Sequence, residues 1–548
     1  MKFDKETFVF IAICIVILIV GKPIARHFGL VPQVAERDVS IAVWAAENKP
    51  AEPYRVLKND QMALTFEPEK GKIDRITFPN YLNSTREYPI DLYQGLTGVG
   101  AFSVFDAADS WELVKIEADR IDDEQKTYTL SRRLCTGSGS EFVLTQEWKL
   151  GENYQTDCKV TFRNADAGSP IVFRNLIVNG GDLAPWAMYS GDMVRIPSHR
   201  MDVLTTAGKY LDLKAGVKKE DEAGFFVVPP PQVEWAGAGN KYFATLLTAD
   251  KPFTLYQNRF LYHGLKEKNV VIEVGAQYPN FMLGPGAEQS FDFRAYYGPK
   301  VISFLKDFEP GAARVMHLAW GPLDYLARLL LWVLVALHGL IGSYGVAIIL
   351  LTLMVRALFY PVTAKANASM RKMQQLQPKI KALREQYKDN PQLQYTKMQE
   401  LQRAEGVNPL GGCLPILLQI PVFFALYATL DGAVELRQVS FLWAKDLAAA
   451  DTVLTIPLYF FNLPINPLVL IMTGLMVVQQ HMTPMSLDPM QKKMMLAMPI
   501  IMLLFLYDLP SGLTLYWSVS NFFSIIQMRL QRRHYNDQGA TPAKASGK

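Results

Sequence analysis

The sequence has little cysteine, and its few cysteines are dispersed. Only four occur in 548 residues, with no CxxC pair and no spacing typical of a zinc site. The sequence therefore indicates neither a structural metal centre nor a disulfide scaffold. Cys135 and Cys158 fall in the same segment, and the sequence leaves open whether they form a disulfide or remain two isolated thiols.

Charge is also scarce. Charged residues make up 20% of the chain, against about 25% in a typical soluble protein. The net charge of +4 is too small to indicate nucleic-acid binding, so we expect no direct nucleic-acid substrate. The chain has no GxxxxGK[ST] motif for binding a nucleotide.

Apolar residues make up 50% of the chain and are concentrated at its two ends. Residues 8–20 form an apolar run flanked by lysines, with no small-x-small cleavage site close behind it. We therefore favour an uncleaved transmembrane anchor over residues 1–24 rather than a signal peptide. Residues 25–54 mix proline with alanine, glutamate and lysine without a sustained period, which is typical of a linker.

Residues 55–310 alternate between apolar and polar side chains in many short runs. Phe142, Leu144 and Trp148, for example, alternate with polar residues. Strict alternation bounded by Gly, Asn and Asp is typical of half-buried antiparallel strands. The sequence therefore predicts a large all-β sandwich domain.

Long apolar helices are predicted from residue 318 onward. Residues 318–342 mix aromatic residues with Asp324, Arg328 and His338, which favours an amphipathic helix in the membrane interface. A five-helix core over 343–534 and a basic tail over 535–548 follow, giving six spans with the N-terminal anchor. The predicted core spans are 344–360, which ends at Pro361, then 410–430, 467–478, 494–509 and 513–528.

Loop charges predict the orientation of these spans. Residues 361–409 hold nine Lys/Arg against four Asp/Glu, and the tail from 529 holds five against one. Residues 431–466 hold only Arg437 and Lys445 as basic residues. Because basic loops stay cytoplasmic, both termini are predicted inside and the β domain outside.

The basic loop has a pattern of its own. Met373, Leu376, Ile380, Leu383 and Tyr387 are spaced 3, 4, 3 and 4, which is a heptad seam. A break at Asn390-Pro391 and a weaker second pattern predict a helical hairpin over 371–406, with its regular helix beginning near Gln377 because of Pro378. The hairpin either only shapes the loop or docks a partner on its basic face.

Arg356 is the most informative residue of the core. A charge at membrane depth costs about 2.5–3.5 kcal/mol on insertion scales, so such residues usually face the protein interior or a wet cavity. Arg356 also lies near the predicted cytoplasmic end of its span, from where its long side chain could instead reach the headgroups.

A polar stripe in the last span favours a position of Arg356 that faces the protein interior or a wet cavity. Tyr516, Ser520, Ser524 and Gln527 lie on one helix face. Lipid cannot satisfy such a stripe, so it either holds the bundle together by interhelical hydrogen bonds or faces water. An arginine without an obvious acidic partner in the spans favours a water-filled groove open to the cytoplasm. The candidate groove residues are Thr352, Arg356, Gln419, Tyr516, Trp517 and Ser520.

Several motifs resemble those of the YidC family of membrane protein insertases, in its Gram-negative form with a large periplasmic domain. They are RALFYP at 356–361, MQQLQPKI at 373–380, VNPLGGCLP at 407–415, VELR at 434–437, DPMQ at 488–491 and PSGL at 510–513. The family often has a second tyrosine after Tyr516. This chain has Trp517 instead, which keeps the bulk but replaces the hydroxyl group with an indole N–H.

The resemblance implies a multi-pass protein of the bacterial inner membrane that inserts and helps to fold membrane proteins. It is not expected to be an enzyme or to need a cofactor. Its five spans would enclose a hydrophilic groove in which Arg356 attracts acidic residues of the incoming chain. The implied partners are nascent membrane proteins, Sec translocon components, membrane lipids, and a ribosome or targeting factor at the cytoplasmic loops.

Two other functions are compatible with parts of the sequence. A secondary transporter would also contain polar residues at membrane depth, but it should show internal repeats, and none is found in the apolar half. Alternatively, the β domain could bind or isomerise a carbohydrate, with His199 and His263 as acid-base groups. Neither histidine has a local signature around it, which favours ordinary structural or surface histidines.

Overall fold

The computed structural model describes residues 54–82, 89–94, 99–166, 168–183, 200–214, 232–261, 270–406, 414–458, 461–482 and 489–539. The predicted anchor over 1–24, His199 and His263 lie outside the described residues, as does the linker except for its last residue. The chain divides into two compact units, of which one ends at His317 and the other resumes at Leu318.

The first unit is all-β apart from short helices near its end, within the described residues. Its strands alternate between buried and partly exposed residues, as the period-two pattern predicts. The strands are β1 Arg55–Lys58, β2 Ala63–Glu67, β3 Lys72–Leu82, β4 Pro89–Tyr93, β5 Val104–Asp106, β6 Trp111–Asp122, β7 Thr127–Thr136, β8 Glu141–Leu150, β9 Gln155–Asn164, β10 Ile171–Leu183, β11 Arg200–Thr205, β12 Tyr210–Lys214, β13 Val233–Gly239, β14 Phe243–Leu261, β15 Val270–Leu283 and β16 Glu288–Pro299.

These strands form two antiparallel sheets. Strands β1 to β4 make one sheet in chain order, and the other twelve make a second sheet with the path β12-β11-β13-β14-β16-β9-β8-β7-β6. Phe66 of the smaller sheet packs against Tyr128 and Trp148 of the larger one, with ring centroids 4.7 and 4.9 Å apart. The two sheets therefore share an aromatic core, in agreement with the predicted sandwich.

The two cysteines of this unit do not pair. Cys135 lies on β7 and Cys158 on β9, and β8 runs between those two strands. Both are free thiols, and Cys158 is buried. The alternative that the sequence left open is thus decided in favour of two isolated thiols.

The end of the first unit folds back on the larger sheet. Helix α1 spans Ile302–Phe308 and buries Leu305 and Phe308. Phe308 packs against Tyr296 of β16, with ring centroids 5.8 Å apart. A 3₁₀ turn, Ala312–Met316, then leads to His317.

The second unit is mainly helical. Each of the five predicted core spans has a helix in the structure, and α2 occupies the predicted interfacial segment. The helices are α2 Pro322–Ile341, α3 Tyr344–Gln386, α4 Pro391–Ala404, α5 Leu414–Gly432, α6 Pro467–Met482, α7 Pro489–Leu506 and α8 Ser511–Gly539.

Helix α3 is longer than predicted. It continues through Pro361 and Pro378 as one helix of 43 residues. The predicted end of the first core span at Pro361, and the predicted helix start near Gln377, are therefore wrong. A proline inside a helix costs about 3 kcal/mol or more, because it removes a hydrogen bond and crowds the preceding turn. Packing on both sides of the prolines, in the bundle and in the hairpin, offsets this cost.

Two of the described helices are long and apolar enough to cross a membrane by length and composition, namely Pro322–Ile341 and Tyr344–Ala366 within α3. The first of them is α2, which the sequence placed in the interface. Pro467–Met482 and Ala497–Leu506 are apolar but shorter. The six-span count and the interfacial position of α2 therefore stay predictions.

The predicted outer loop over 431–466 has more structure than the sequence indicated. It contains a β-hairpin, β17 Leu454–Leu458 with β18 Phe461–Ile465. Asp451 Oδ2 accepts hydrogen bonds from Trp443 Nε1 at 2.9 Å and from the backbone N–H of Leu468 at 2.6 Å. Because Leu468 lies in the first turn of α6, this carboxylate caps the helix and holds the loop against it.

Candidate substrate groove

Arg356 lies in α3 and turns its side chain toward α8. Its Nε and Nη2 atoms both donate hydrogen bonds to Ser520 Oγ, at 2.9 and 2.6 Å. Ser520 itself is buried, with only 1% of its surface exposed. The guanidinium group is thus held inside the bundle by α8, which is the interior position that the sequence favoured.

The polar stripe of α8 follows α3 beyond this contact. Two turns along both helices, Gln527 Nε2 donates to Thr363 Oγ1 at 3.4 Å. The same offset of 164 residues separates the partners in both contacts. Helices α3 and α8 therefore run parallel over this stretch.

A small pocket opens beside the arginine. Its volume of about 20 Å³ is enough for about one water molecule. Its lining combines polar side chains that can form hydrogen bonds with apolar side chains. The lining residues are Val355, Arg356, Phe359, Val362, Thr363, Gln419 and Tyr516.

No carboxylate neutralises this arginine in the part of the chain that the structure describes. Its hydrogen-bond partner is the neutral hydroxyl of Ser520, and no acidic side chain lines the pocket. An uncompensated charge in a low-dielectric surrounding attracts an anion far more strongly than it would in water. The positive potential at this site therefore favours binding of a negatively charged group.

Three of the six predicted groove residues do not line the pocket, and of these only Ser520 is hydrogen-bonded to Arg356 in the described part of the chain. Thr352 is fully buried, and its hydroxyl group donates to the carbonyl oxygen of Ile348 at 2.7 Å. Trp517 packs on Phe423 of α5, with ring centroids 4.9 Å apart. The structure brings together Arg356, Gln419, Tyr516 and Ser520.

The sequence analysis did not identify three residues of α3 that line the pocket. Phe359, Val362 and Thr363 line it from α3. Helical spacing held the signal for Phe359 and Thr363, because residues three and seven positions after Arg356 lie on nearly the same helix face. The predicted helix end at Pro361 hid this relation for Thr363.

The predicted hairpin is present, and only part of its seam is buried. Leu376 and Ile380 of α3 form its core, with Met373, Met398 and Leu401 packed against them. Leu383 and Tyr387 are half-buried. Lys379 Nζ and Glu405 Oε1 form an ion pair of 2.7 Å across the two helices.

One cluster in the β unit has the spacing of metal ligands. The ligand atoms of Asp202, Asp212 and His317 all lie within 4.8 Å of one another. However, Asp212 pairs with Arg200, and His317 Nε2 lies 2.6 Å from Asp202 Oδ1. Both carboxylates are thus already partnered within the protein, so we assign no metal to this cluster.

The two units match two families. Residues 55–333 match the YidC periplasmic domain, and residues 336–538 match the family described as 60Kd inner membrane protein. The first match alone covers half of the 548 residues.

Two curated relatives carry the same name. The membrane protein insertase YidC of Geobacter sulfurreducens is 38% identical over 313 residues, which is 57% of this chain and 54% of the relative. The membrane protein insertase YidC of Pelobacter propionicus is 36% identical over 414 residues, which is 74% of this chain and 73% of the relative. The chain thus spans about half the length of the first relative and nearly three quarters of the second.

Solved structures are similar at a lower level. A crystal structure of an active YidC insertase has a TM-score of 0.35 and 19% identity, and the alignment covers 90% of this chain and 97% of that one. A galactose mutarotase-like protein from Lactobacillus casei has a TM-score of 0.29 and 11% identity, with 45% and 100% covered. Neither likeness carries a functional conclusion. The two family matches and the relative aligned over 74% of this chain suffice, however: the chain belongs to the YidC family of membrane protein insertases.

Proposed function

We propose that this protein inserts and helps to fold proteins of the bacterial inner membrane, alone or with the Sec translocon. The observation that carries the proposal is Arg356, which is held by a serine inside the bundle and which no carboxylate of the described residues neutralises. The names of the relatives describe an insertase and not an enzyme.

The first step is capture of an acidic residue. A substrate segment that must cross the membrane would present an aspartate or glutamate to Arg356. A carboxylate carries a full negative charge that the neutral hydroxyl group of Ser520 lacks, so its attraction to the guanidinium group is stronger and the substrate carboxylate would displace Ser520. When no substrate is bound, Ser520 would accept the hydrogen bonds of Arg356 and keep the guanidinium group oriented.

The second step is release into lipid. The pocket lining beside the arginine includes the apolar residues Val355, Phe359 and Val362. An apolar substrate segment could slide along this lining while its acidic end stays at Arg356. Burial of the apolar helix in the bilayer would then drive the transfer, at about 0.8 kcal/mol for each buried CH₂ group.

The partners follow from the same proposal. Nascent membrane proteins and membrane lipids would contact the core helices. A ribosome or a targeting factor would contact the hairpin of α3 and α4, because its basic side chains Lys372, Lys381 and Lys388 are exposed. Sec translocon components would assist those substrates that carry large exported domains.

The test is a pair of substitutions at one position. We expect Arg356→Lys to retain most of the insertion activity and Arg356→Ala to impair substrates whose exported segments are acidic. Insertion would be measured in cells depleted of the native protein and complemented with each variant. Arg529→Ala is the matched control, because Arg529 is an exposed arginine of α8. Insertion by Arg356→Ala at the wild-type level would contradict the proposal.

A further inference from the structure

A groove of about 640 Å³ crosses the solvent-facing side of the larger sheet, over strands β7, β8, β9, β16 and β14. The strand register places opposite charges next to each other along it. Glu147 lies opposite Lys159, and Lys149 lies opposite Asp157. Lys159 in turn lies opposite Asp292 on the next strand.

These five side chains make no ion pair or hydrogen bond with one another or with any other described residue. The rest of the same sheet face behaves differently. Arg133 Nη2 and Glu117 Oε1 form an ion pair of 2.7 Å, and the hydroxyl groups of Ser131 and Thr145 are 2.8 Å apart. Neighbouring polar groups on this sheet thus satisfy one another outside the groove, whereas the charges inside it are left available.

The available charges are mainly negative. Arg294, the third basic residue of the groove, is already paired with Glu309. Asp250 also lines the groove, directly after Ala249, the last residue of β14 that pairs with β16. The unpaired side chains are therefore the carboxylates of Glu147, Asp157, Asp250 and Asp292 against the ammonium groups of Lys149 and Lys159.

The shape of the groove narrows the choice of ligand. Its aromatic lining residues, Trp148 and Phe293, are buried and at most 3% exposed, so no ring is available for stacking on a sugar. Its volume is far larger than a single ion needs. Asp157 and Asp292 are diagonal neighbours on adjacent strands, which places them about 7–8 Å apart. Side chains on one face of an extended peptide repeat at about 7 Å.

We propose that this charged groove binds a stretch of extended polypeptide rich in lysine and arginine, with the basic side chains of the ligand lying between the unpaired carboxylates. The proposal concerns the β unit alone and does not depend on how the helical core handles its substrates.

Fluorescence anisotropy with the full-length protein in nanodiscs of uncharged lipid tests the proposal. Two labelled peptides of equal length serve as probes, one alternating lysine with serine and the other alternating glutamate with serine. We expect the lysine peptide to bind at low salt and to be released as salt rises, because these charges are exposed to solvent. The glutamate peptide should not bind.

Substitutions then locate the site. The double variant Asp157→Asn/Asp292→Asn should weaken binding of the lysine peptide by about five- to tenfold, as the loss of two exposed charge pairs implies. Asp123→Asn/Glu124→Gln removes the same charge from the exposed β6–β7 turn and should change the affinity less than twofold. Lys159→Gln removes a competing ammonium group and should tighten binding.

Three results would overturn the proposal. They are absence of binding by the wild-type protein, equal affinity for the two peptides, and equal weakening by the groove and turn variants. The substituted side chains are exposed, so the variants should fold as the wild type does, and circular dichroism of each variant checks this. Tighter binding by Lys159→Gln cannot arise from damage to the fold.

Discussion

At the scale of the residue, Arg356 and Ser520 show what a sequence can and cannot reveal. Helical spacing alone was enough to predict that Tyr516, Ser520, Ser524 and Gln527 share a face. It could not identify Ser520 as the partner of the arginine, because that depends on the rotation and depth of two helices whose contacting residues are 164 positions apart. The interior position of a charge could be predicted, whereas its precise partner is a tertiary property.

The contact between Arg356 and Ser520 predicts a difference between two serines of α8. Ser520→Ala removes the acceptor of two charge-assisted hydrogen bonds and should lower the free energy of unfolding by about 1–3 kcal/mol. Ser518→Ala is the matched control, because Ser518 is also buried and its hydroxyl group donates to the carbonyl oxygen of Thr514 in its own helix. Thermal unfolding of the two variants in detergent measures the difference, and equal melting temperatures would show that the contact contributes no stability.

Glu435 predicts a dependence of stability on pH. It lies in the loop between α5 and α6, in the 3₁₀ turn Val434–Leu436, and its buried Oε2 atom has no hydrogen-bond partner among the described residues. Burial raises the pKa of this carboxyl group from its ordinary value of 4.5 to about 7. Since the folded protein holds the proton more tightly than the unfolded chain, the stabilisation is complete below pH 4.5 and is lost as the pH rises through 7.

The isosteric variant Glu435→Gln tests this dependence, because its side chain stays neutral. Relative to this variant, the wild-type protein should lose about 1–3 kcal/mol of stability between those two pH values. Glu385→Gln removes an exposed carboxylate of α3 and should leave the pH profile unchanged. Parallel profiles for wild type and Glu435→Gln would show that the carboxyl group titrates normally.

At the scale of the element, prolines are where prediction failed. Pro467 marks the start of α6 in both sequence and structure, because a proline fits the first turn of a helix. Pro361 and Pro378 also looked like boundaries, yet α3 passes through both. The local rule is the same at all three positions. The outcome differs because packing decides it, and packing cannot be read from neighbouring residues. The β-hairpin of β17 and β18 was not predicted, because the sequence of the 431–466 loop was used only to count its charges.

The hairpin of α3 and α4 predicts a contrast between two apolar residues. Ile380 is buried in the hairpin core, so Ile380→Ala should destabilise the hairpin by about 2–4 kcal/mol. Leu393 is 39% exposed, and Leu393→Ala should change its stability by less than about 0.5–1 kcal/mol. Hydrogen exchange over residues 371–406 of the full-length protein reports this directly. Similar protection in the two variants would mean that the hairpin core contributes little.

At the scale of the whole molecule, the boundary between the units falls between His317 and Leu318. Helix α1 and the turn after it belong with the β unit, since Phe304 packs on Tyr154 with ring centroids 5.6 Å apart. The alternating pattern predicted the sandwich itself well. It carried no information on where this apolar tail would pack.

That boundary predicts how the β unit can be removed. Deletion of residues 57–317 should leave insertion largely intact, because the helical unit retains its own core. Deletion of 57–300 should give a lower yield of folded protein. It removes the sheet but keeps Leu305 and Phe308, which would then be exposed to solvent. Complementation of depleted cells and the amount of folded protein in the membrane measure both. Loss of insertion by the longer deletion, with the helical unit correctly folded, would show that the β unit takes part.

Helix α3 also has a mechanical consequence. Arg356 and Ile380 lie 24 positions apart on one unbroken helix, which fixes them about 36 Å apart along its axis. A displacement of the hairpin by a docked partner would be transmitted along α3 to Arg356. Helices kink most readily at prolines, and Pro361 and Pro378 both lie between the two residues. The bend of α3 at these prolines therefore determines how far a displacement of the hairpin moves the guanidinium group.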